Sequence, residues 1–223
     1  MTRLSNELLM GIDVELDIYD KELLRKTGST LRQIACRAAG VTELELFGTT
    51  DSVQVAVVPI TWGKGIIEGF CDAVQGIIRY LGFKVFITHS HDISGLAEGI
   101  ERGAEIIFLA DDERFVVINL PCGKVVDNTE ATGRGYVAAL ECLRGDLHAQ
   151  SVLVIGAGRV GKSAVCALKE LGAKVAVFDI DQTKAEILAR EHKVMVERDL
   201  GKALHKYTTL IDASPAPNII QAE

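Results

Sequence analysis

The sequence predicts a two-domain α/β protein, on the strength of two observations. From about residue 53, short β-branched runs alternate with helical segments, a pattern typical of βαβ units. A second series of this kind begins at Ser151 and contains the glycine-rich turn IGAGRVG, residues 155–161. We therefore expect an N-terminal helical segment and small α/β domain over 1–146. A Rossmann-type dinucleotide-binding domain, incomplete at its C-terminal end, should occupy 147–223.

Composition excludes several classes of protein. The 223 residues carry a net charge of −7, and 48% of them are hydrophobic. Nucleic acid and membrane surfaces attract clustered Lys and Arg, so neither is an expected partner. There is no signal-peptide pattern and no apolar run of about eighteen residues, so a cytoplasmic protein is expected. The five cysteines are widely spaced without a C-x-x-C pair, which indicates reduced thiols.

The first predicted elements are helices. Apolar residues at helical spacing predict an amphipathic helix over 5–26, capped by Ser5 and ended by Gly28 in a left-handed conformation. A shorter helix should run from Thr30 to Gly40. Residues 41–52 are interpreted as a connection.

The elements that follow should form a parallel sheet covered by helices. The predicted strands are 53–60, 85–88, 106–109 and 115–118, and the predicted helices are 66–81, 93–102 and 131–144. The last of these helices marks the boundary between the two domains.

The glycine turn fits two different motifs. Gly156, Gly158 and Gly161 spell G-x-G-x-x-G, the dinucleotide turn, whereas Gly156, Gly161 and the pair Lys162 and Ser163 spell a P-loop. A strand precedes the turn, a helix follows it, and the next strand, 174–178, ends at Asp179, about twenty residues beyond the glycines. A P-loop enzyme also needs a later strand that ends in a magnesium-binding acid, for which only 208–212 is available. The context therefore favours the dinucleotide turn and leaves Lys162 on the helix surface and Ser163 in helix packing.

Asp179 favours NAD as the cofactor. Its charge would accept hydrogen bonds from ribose hydroxyls and repel a 2′-phosphate, and no Arg follows it directly. The loop after strand 208–212 should pass beneath the nicotinamide. The predicted cofactor-binding residues are Gly156, Gly158, Arg159, Val160, Gly161, Asp179, Ser214 and Pro215.

In the first domain, the stretch VVPITWGKGIIEGF combines a strand, a glycine-bearing turn and a helix expected to begin at Ile66. Backbone N–H groups and the positive end of that helix would suit an anion such as a substrate carboxylate, with Lys64 adding a charge. An ordinary βα turn would show the same pattern. The predicted substrate-binding residues of this turn are Thr61, Trp62 and Gly63.

A second polar concentration follows the strand that ends at Leu109. Asp111 and Asp112 come directly after it, where ligands bind in open α/β sheets, and Asn119 and Asn128 lie further along. A solvated turn is the alternative explanation for the Asp pair. The stretch THSHD, 88–92, has no closed set of metal ligands, so no metal is expected and Asp92 is interpreted as a helix N-cap.

The order and spacing of four segments resemble the pyrrolysine synthase family over roughly residues 25–217. The segments are VPITWGKGIIEGF, YLGFKVFITHSHDISGLAEGIERGAEIIFLADDERF, NLPCGKVVDN and VLVIGAGRVGKSA. The resemblance implies an NAD-dependent dehydrogenase acting on 3-methyl-D-ornithyl-N6-L-lysine. In that family the terminal primary amine is oxidised, and the product cyclises with loss of ammonia to the pyrroline ring of pyrrolysine.

This chemistry suggests roles for the polar residues. An ammonium group, with a pKa of about 10.4, must lose a proton before its carbon can give up a hydride. Asp111 is the candidate acceptor and Asp112 the substitute, while Asn128 would orient the amine or imine. Asn119 and Asp112 are expected to contact the substrate.

The sequence also departs from the family. Trp62 stands where a small hydroxyl residue is expected, which affects the choice of substrate, and the chain stops at Glu223 where the family continues. A C-terminally truncated domain with an exposed sheet edge is therefore expected. The N-terminal helix resembles the family's first helix, thought to close over the substrate.

Two other functions remain open from the sequence. The segment IGAGRVGKSA with VAVFDID also looks like the NAD-sensing subunits that regulate potassium transport, although those carry this domain at the chain start. Another NAD-dependent amino acid dehydrogenase with the same two domains is the third interpretation. A homodimer is expected, as the commonest state of soluble enzymes.

Overall fold

The protein is described by a computed structural model that covers residues 12–50, 52–66, 68–216 and 219–220. Contacts divide the chain into two compact units, Met1–Asn128 and Thr129–Glu223. No described helix is long and apolar enough to cross a membrane. The predicted start of the first helix, including Ser5, lies outside the described residues.

Three helices lead the first unit: α1 (Ile12–Thr27), α2 (Leu31–Ala39) and α3 (Glu43–Thr50). Gly28 and Gly40 adopt the left-handed conformation expected of helix stops. Thr30 caps α2 through a reciprocal box with Gln33. The helix α3 corrects the prediction of a connection over 41–52.

A mixed sheet with the order β2-β1-β3-β4-β5 forms the core of the first unit. Its strands and their helices are β1 (Gln54–Val58), α4 (Phe70–Tyr80), β2 (Lys84–Ile87), α5 (Asp92–Glu101), β3 (Ile106–Ala110), β4 (Phe115–Asn119) and β5 (Lys124–Asp127). The strands β1, β2 and β3 are parallel, as expected, but β4 and β5 run antiparallel to their neighbours. The prediction of a parallel sheet was therefore right for half of it, and β5 was not predicted.

The second unit is a parallel sheet with helices. Its elements are α6 (Asn128–Arg144, of which Asn128 belongs to the first unit), β6 (Ser151–Ile155), α7 (Arg159–Glu170), β7 (Lys174–Phe178), α8 (Gln182–His192), β8 (Met195–Val196), α9 (Leu200–Lys206) and β9 (Leu210–Asp212). The strand order is β8-β7-β6-β9, with all described pairings parallel. The central strand β6 is buried from Val152 to Ile155, as is typical of an inner strand of a parallel sheet covered by helices.

The contacts assign α6 to the second unit, whereas the sequence placed the boundary at 146/147, beyond this helix. Close packing accounts for this assignment. A Cβ built on Gly133 of α6 would lie 2.5 Å from Ser163 Cβ and 2.7 Å from the carbonyl oxygen of Val160, both on α7. The helix α6 therefore packs against the helix that follows the glycine turn.

Candidate functional site

The polar residues of the first unit meet at one edge of its sheet. The pairs Val58↔Leu109, Ala110↔Phe115 and Val116↔Asp127 bring together the ends of β1, β3 and β5 and the start of β4. The segments that leave this edge contain Thr61, Trp62, Gly63, Asp111, Asp112 and Asn128. Six of the seven substrate-side residues predicted from the sequence thus lie in segments at this edge.

Asn119 is the exception, and it corrects the prediction. Because β4 runs antiparallel to β3, Asn119 pairs with Ile106 at the opposite edge of the sheet from Asp111. Its side-chain oxygen accepts a hydrogen bond of 3.4 Å from the amide of Cys122 in the turn to β5. Asn119 therefore stabilises a turn and does not share an edge with the Asp pair.

Asp111 forms the tight turn between β3 and β4. Its Oδ1 accepts hydrogen bonds from the backbone amides of Glu113, at 2.8 Å, and Arg114, at 2.7 Å. Arg114 in turn forms an ion pair of 3.2 Å with Asp127, which precedes Asn128. Among the described residues, both side-chain hydrogen bonds of the half-buried Asp111 end on Oδ1, which leaves Oδ2 available to a ligand.

Asp112 holds the loop that follows β1. Its Oδ2 accepts a hydrogen bond of 2.6 Å from the amide of Lys64. A Cβ at Gly63, where φ is +78°, would lie only 2.3 Å from the same oxygen. Glycine at position 63 is therefore favoured by the left-handed backbone, and a side chain there would have to displace the Asp112 carboxylate.

A carboxylate that the sequence did not assign to the site holds the same loop from its other end. Asp92 accepts a hydrogen bond of 2.8 Å from the amide of Thr61 through Oδ1, and another from the Thr61 hydroxyl through Oδ2. These two bonds hold the pKa of Asp92 below its usual value. The side chain thus serves the loop rather than capping α5, whose N-cap residue is His91.

The helix predicted to begin at Ile66 begins at Phe70. Gly65 and Gly69, with φ of +81° and +76°, have left-handed backbone conformations that do not belong to a right-handed helix. The positive helix end proposed to bind a substrate anion at Ile66 is therefore absent from that position. The backbone amides of the turn itself remain, and Trp62 stands out from the turn with 62% of its surface exposed.

In the second unit, the glycine turn links β6 to α7. Gly156 has φ of +99° and donates a 2.7 Å hydrogen bond to the carbonyl oxygen of Phe178. A Cβ at Gly161 would lie 1.9 Å from the carbonyl oxygen of Gly156, whereas one at Gly158 would meet no atom within 4 Å. The first and third glycines thus serve packing, and the second leaves open space, as a turn that approaches a pyrophosphate requires.

Asp179 lies directly beside this turn. Its Oδ2 accepts a 2.6 Å hydrogen bond from the amide of Ala157, and its Oδ1 accepts a 2.8 Å bond from the amide of Asp181. The next residue, Ile180, is 93% exposed. An acid followed by an uncovered apolar side chain fits the ribose and the base of a nucleotide.

The two residues that complete the P-loop motif, Lys162 and Ser163, bind other parts of the protein. Lys162 forms an ion pair of 2.6 Å with Glu191, and the Ser163 hydroxyl donates a 2.8 Å hydrogen bond to the carbonyl oxygen of Glu130. Neither side chain is directed to a phosphate. Their assignment to the surface and the packing of α7 agrees with these contacts.

Beyond β9, the chain passes the end of β6, where the Ala213 amide donates a 2.8 Å hydrogen bond to the carbonyl oxygen of Ile155. The amide of Ser214 is bonded to Asp212, but its hydroxyl is buried without a partner in the described part of the chain. Pro215 follows and is exposed. An unsatisfied hydroxyl near the carboxyl end of β6 is expected where a ligand supplies the missing hydrogen bond.

These residues fit an NAD(P) cofactor. Gly158 and Arg159 at the start of α7 provide amides and an unobstructed approach, with Val160 in the first helical turn. The carboxylate of Asp179 and the buried hydroxyl of Ser214 lie at the ends of β7 and β9, on either side of β6. Within the described ranges, no group of three or more His, Cys, Asp or Glu side chains could hold a metal.

Comparison with known proteins assigns the two units separately. Residues 9–126 match the family described as "Pyrrolysine biosynthesis protein PylD, N-terminal domain". Residues 128–221 match "Alanine dehydrogenase/PNT, C-terminal domain". The crystal structure of shikimate dehydrogenase from Aquifex aeolicus has a TM-score of 0.50 with 18% identity, over 75% of this chain and 70% of that one. That likeness shows the fold alone.

Two relatives cover most of the chain. Pyrrolysine synthase of Methanosarcina barkeri (strain Fusaro / DSM 804) is 33% identical over 99% of this chain and 80% of its own length. Pyrrolysine synthase of Methanosarcina acetivorans is 34% identical over 83% of this chain and 69% of its own length. The matches confirm the predicted α/β fold class with its Rossmann-type second domain. They also show an NAD(P)-dependent oxidoreductase, in agreement with the predicted dehydrogenase. The chain belongs to the pyrrolysine synthase family.

Proposed function

We propose that this protein oxidises the terminal amine of 3-methyl-D-ornithyl-N6-L-lysine with NAD, and that ammonia loss and ring closure then give pyrrolysine. The observation that carries the proposal is the single sheet edge that holds Asp111, Asn128 and the loop 61–64. This is the position where open α/β sheets bind ligands. Membership of the pyrrolysine synthase family supports the choice of substrate.

The proton chemistry is assigned to Asp111. The substrate ammonium, with a pKa of about 10.4, must be deprotonated before its carbon can be oxidised. Two backbone amides fix Oδ1 of Asp111, which holds the carboxylate in place and leaves Oδ2 to take the proton directly or through water. Asp112 is the alternative proton acceptor. Its main role is to hold the loop, because its Oδ2 accepts the hydrogen bond from the Lys64 amide.

The remaining residues of the edge would bind the substrate. Asn128, at the first position of α6, would orient the amine and then the imine with its side-chain amide. The turn residues Thr61, Trp62 and Gly63 would contact the rest of the molecule. Asn119 has no part in this proposal because it lies at the other edge.

NAD is proposed in preference to NADP. Asp179 and Asp181 place two negative charges at the end of β7, where a 2′-phosphate would be repelled. Exposed Ile180 would pack against the adenine, and the amides of Gly158, Arg159 and Val160 at the start of α7 would hold the pyrophosphate. Gly156 and Gly161 would shape the turn that carries these amides. Ser214 and Pro215 would lie beneath the nicotinamide. The cofactor held by these residues would supply the hydride acceptor for the carbon that carries the terminal amine.

The substrate supplies the rest of the reaction. Loss of a hydride and a proton converts the terminal CH2–NH2 group to an imine. The amine at the other end of the ornithine part then attacks the imine carbon, and ammonia leaves as the five-membered ring forms its own C=N bond. The homodimer and the cytoplasmic location expected from the sequence remain predictions.

The test is to incubate the protein with the dipeptide and either NAD or NADP, and to follow absorbance of the reduced cofactor together with product mass. We expect reduction of NAD and a product whose mass is that of the substrate less two hydrogens and one ammonia. Absence of reduced cofactor, with NAD binding intact, would refute the proposal. Faster reduction of NADP would refute the cofactor assignment alone.

Two matched variants test the proton acceptor. Asp111→Asn keeps an oxygen for the turn amides but removes the base, so turnover should fall by about a hundredfold or more. Asp112→Asn keeps an acceptor for the Lys64 amide and should retain most of the turnover. The reverse order of effects would move the role to Asp112, and a loss below about threefold in both would move it to solvent.

A further inference from the structure

The loop after β1 is held between two carboxylates. Thr61 is bonded to Asp92 through both its amide and its hydroxyl, and the amide of Lys64 is bonded to Asp112. Trp62 and Gly63 lie between these anchors. The backbone on both sides of Trp62 is thereby fixed to neighbouring segments of the first unit.

Asp92 itself has an unusual backbone. Its φ is +53°, in the left-handed region that residues other than glycine seldom adopt. Its amide donates a 3.0 Å hydrogen bond to the carbonyl oxygen of Pro59, so Asp92 contacts the segment 59–61 through backbone and side chain alike. Such outliers persist where surrounding contacts determine the conformation, and they cluster at ligand sites.

The segment that carries Asp92 is anchored in turn. Glu98 accepts hydrogen bonds from the backbone amides of Ser90, at 2.8 Å, and His89, at 3.1 Å, and these bonds hold the pKa of Glu98 well below its usual value. A Cβ on Gly95 would lie 2.5 Å from the carbonyl oxygen of Ser90 and 2.7 Å from Val58 Cγ1. The helix α5 therefore packs closely on β1, which gives Asp92 a rigid base.

Trp62 is a large apolar side chain in an exposed position, with 62% of its surface accessible, at the edge that carries Asp111 and Asn128. Tryptophan is largely buried on average, and its rigid ring provides contact area at a low cost in side-chain entropy. An indole that is exposed while its backbone is fixed on both sides is suited to contact a ligand. In the proposed substrate, the carbon chain is the apolar group that the indole could contact.

We propose that Asp92 is a positioning residue that fixes Thr61, so that Trp62 forms a rigid aromatic wall against the aliphatic part of the substrate. This inference rests on the proposed function, because it names the part of the proposed substrate that Trp62 contacts. Asp92 acts only through the loop and takes no part in proton or hydride transfer. Its loss should therefore weaken substrate binding and leave NAD binding unchanged.

The variant Asp92→Gly removes both side-chain hydrogen bonds and still accepts the left-handed backbone, so the fold should survive. Asp92→Asn is the matched control, because Asn tolerates this backbone and can accept from the Thr61 amide while donating to its hydroxyl. Trp62 is the single tryptophan of the chain, so its fluorescence reports on the loop without labelling. Fluorescence anisotropy in the free protein then measures the mobility of the loop.

We expect Asp92→Gly to raise the substrate KM by about tenfold, with the Kd for NAD changed less than about twofold, and Asp92→Asn to restore the KM. Addition of the dipeptide should change Trp62 emission in the wild type, and Trp62 anisotropy should fall in Asp92→Gly. An unchanged KM in a folded, active Asp92→Gly protein, or Trp62 emission that ignores the substrate, would overturn the inference.

The same measurements separate this inference from the proposed function. Absence of turnover in the wild type would overturn the proposed function and, with it, the substrate contact of Trp62. The anisotropy of the free protein needs no substrate. If it is equal in the wild type and in Asp92→Gly, Asp92 does not fix the loop.

Discussion

At the scale of single residues, two glycines of one turn make opposite demands. An added Cβ at Gly161 would lie 1.9 Å from the carbonyl oxygen of Gly156, whereas at Gly158 it would meet no protein atom within 4 Å. Gly161→Ala should therefore destabilise the second unit by about 3 kcal/mol, the upper range for overpacking. Gly158→Ala should fold normally and bind NAD at least about tenfold more weakly, a loss of about 1.4 kcal/mol.

Urea unfolding and calorimetric titration with NAD distinguish the two effects. Equal loss of stability in both variants would mean that Gly158 also serves packing. Unaltered NAD affinity in Gly158→Ala would mean that the pyrophosphate does not approach this residue.

The carboxylates at both ligand edges share a second residue-scale property. Asp92, Asp111, Asp112 and Asp179 each accept at least one hydrogen bond from a backbone amide of a turn. Such bonds hold an acid in one orientation and also hold the turn that bears the neighbouring ligand contacts. The sequence could place Asp111, Asp112 and Asp179 at strand ends and Asp92 at a helix start. It could not assign their partners, because three of the four bonds join segments far apart in the chain.

At the scale of elements, the helix α6 offers a matched pair of glycines. Gly133 faces α7, where a Cβ would lie 2.5 Å from Ser163 Cβ, while a Cβ at Gly135 would meet nothing within 4 Å. Gly133→Ala should destabilise the second unit by about 1–3 kcal/mol. Gly135→Ala should stabilise it by about 0.5–1 kcal/mol, because alanine loses less backbone entropy in a helix.

Chemical denaturation followed by circular dichroism measures both variants. A Gly133→Ala protein as stable as the wild type would contradict the close packing of α6 on α7. Destabilisation by Gly135→Ala would show that this face of α6 is covered.

The elements that the sequence missed are short or lack a periodic apolar face. In α3, Leu44 is 83% and Phe47 is 55% exposed. These apolar residues do not form a buried helix face, so the sequence shows no helical spacing of core residues here. The reciprocal bonds between Thr42 and Glu45 at its start form a capping box, and the Thr-x-x-Glu spacing of that motif is the sequence signal for this helix. By contrast, β5 has four residues of which two are exposed, and only its pairing with β4 defines it.

The antiparallel course of β4 is the reason why one site residue was misplaced. Alternating apolar runs predict strands but not their direction, and the short connection 111–114 between β3 and β4 allows only a tight reversal. That reversal moves Asn119 to the far edge and returns Asn128 to the edge of Asp111. Connection length would have been the available signal, since a parallel crossover requires about a dozen residues or more.

At the scale of the whole molecule, the two units offer separate probes of folding. Each has its own sheet, and the single tryptophan, Trp62, belongs to the first unit. Circular dichroism reports on the helices of both units, whereas tryptophan emission reports on the first unit alone. A ligand stabilises the unit that binds it by a free energy set by its concentration relative to Kd.

We therefore expect NAD at about a hundred times its Kd to stabilise the second unit by about 2.7 kcal/mol. The urea midpoint measured by Trp62 emission should then rise less than the midpoint measured by circular dichroism. The proposed substrate should instead stabilise the first unit, so that the urea midpoint measured by Trp62 emission rises more than the midpoint measured by circular dichroism. Gly158→Ala is the control, because at the same NAD concentration its weaker binding should reduce the stabilisation to about 1.4 kcal/mol or less without changing the transitions in buffer. If either ligand shifted both urea transitions equally, the two units would unfold as one cooperative whole. A mutation that changes the stability of one unit would then change the free energy of unfolding of both.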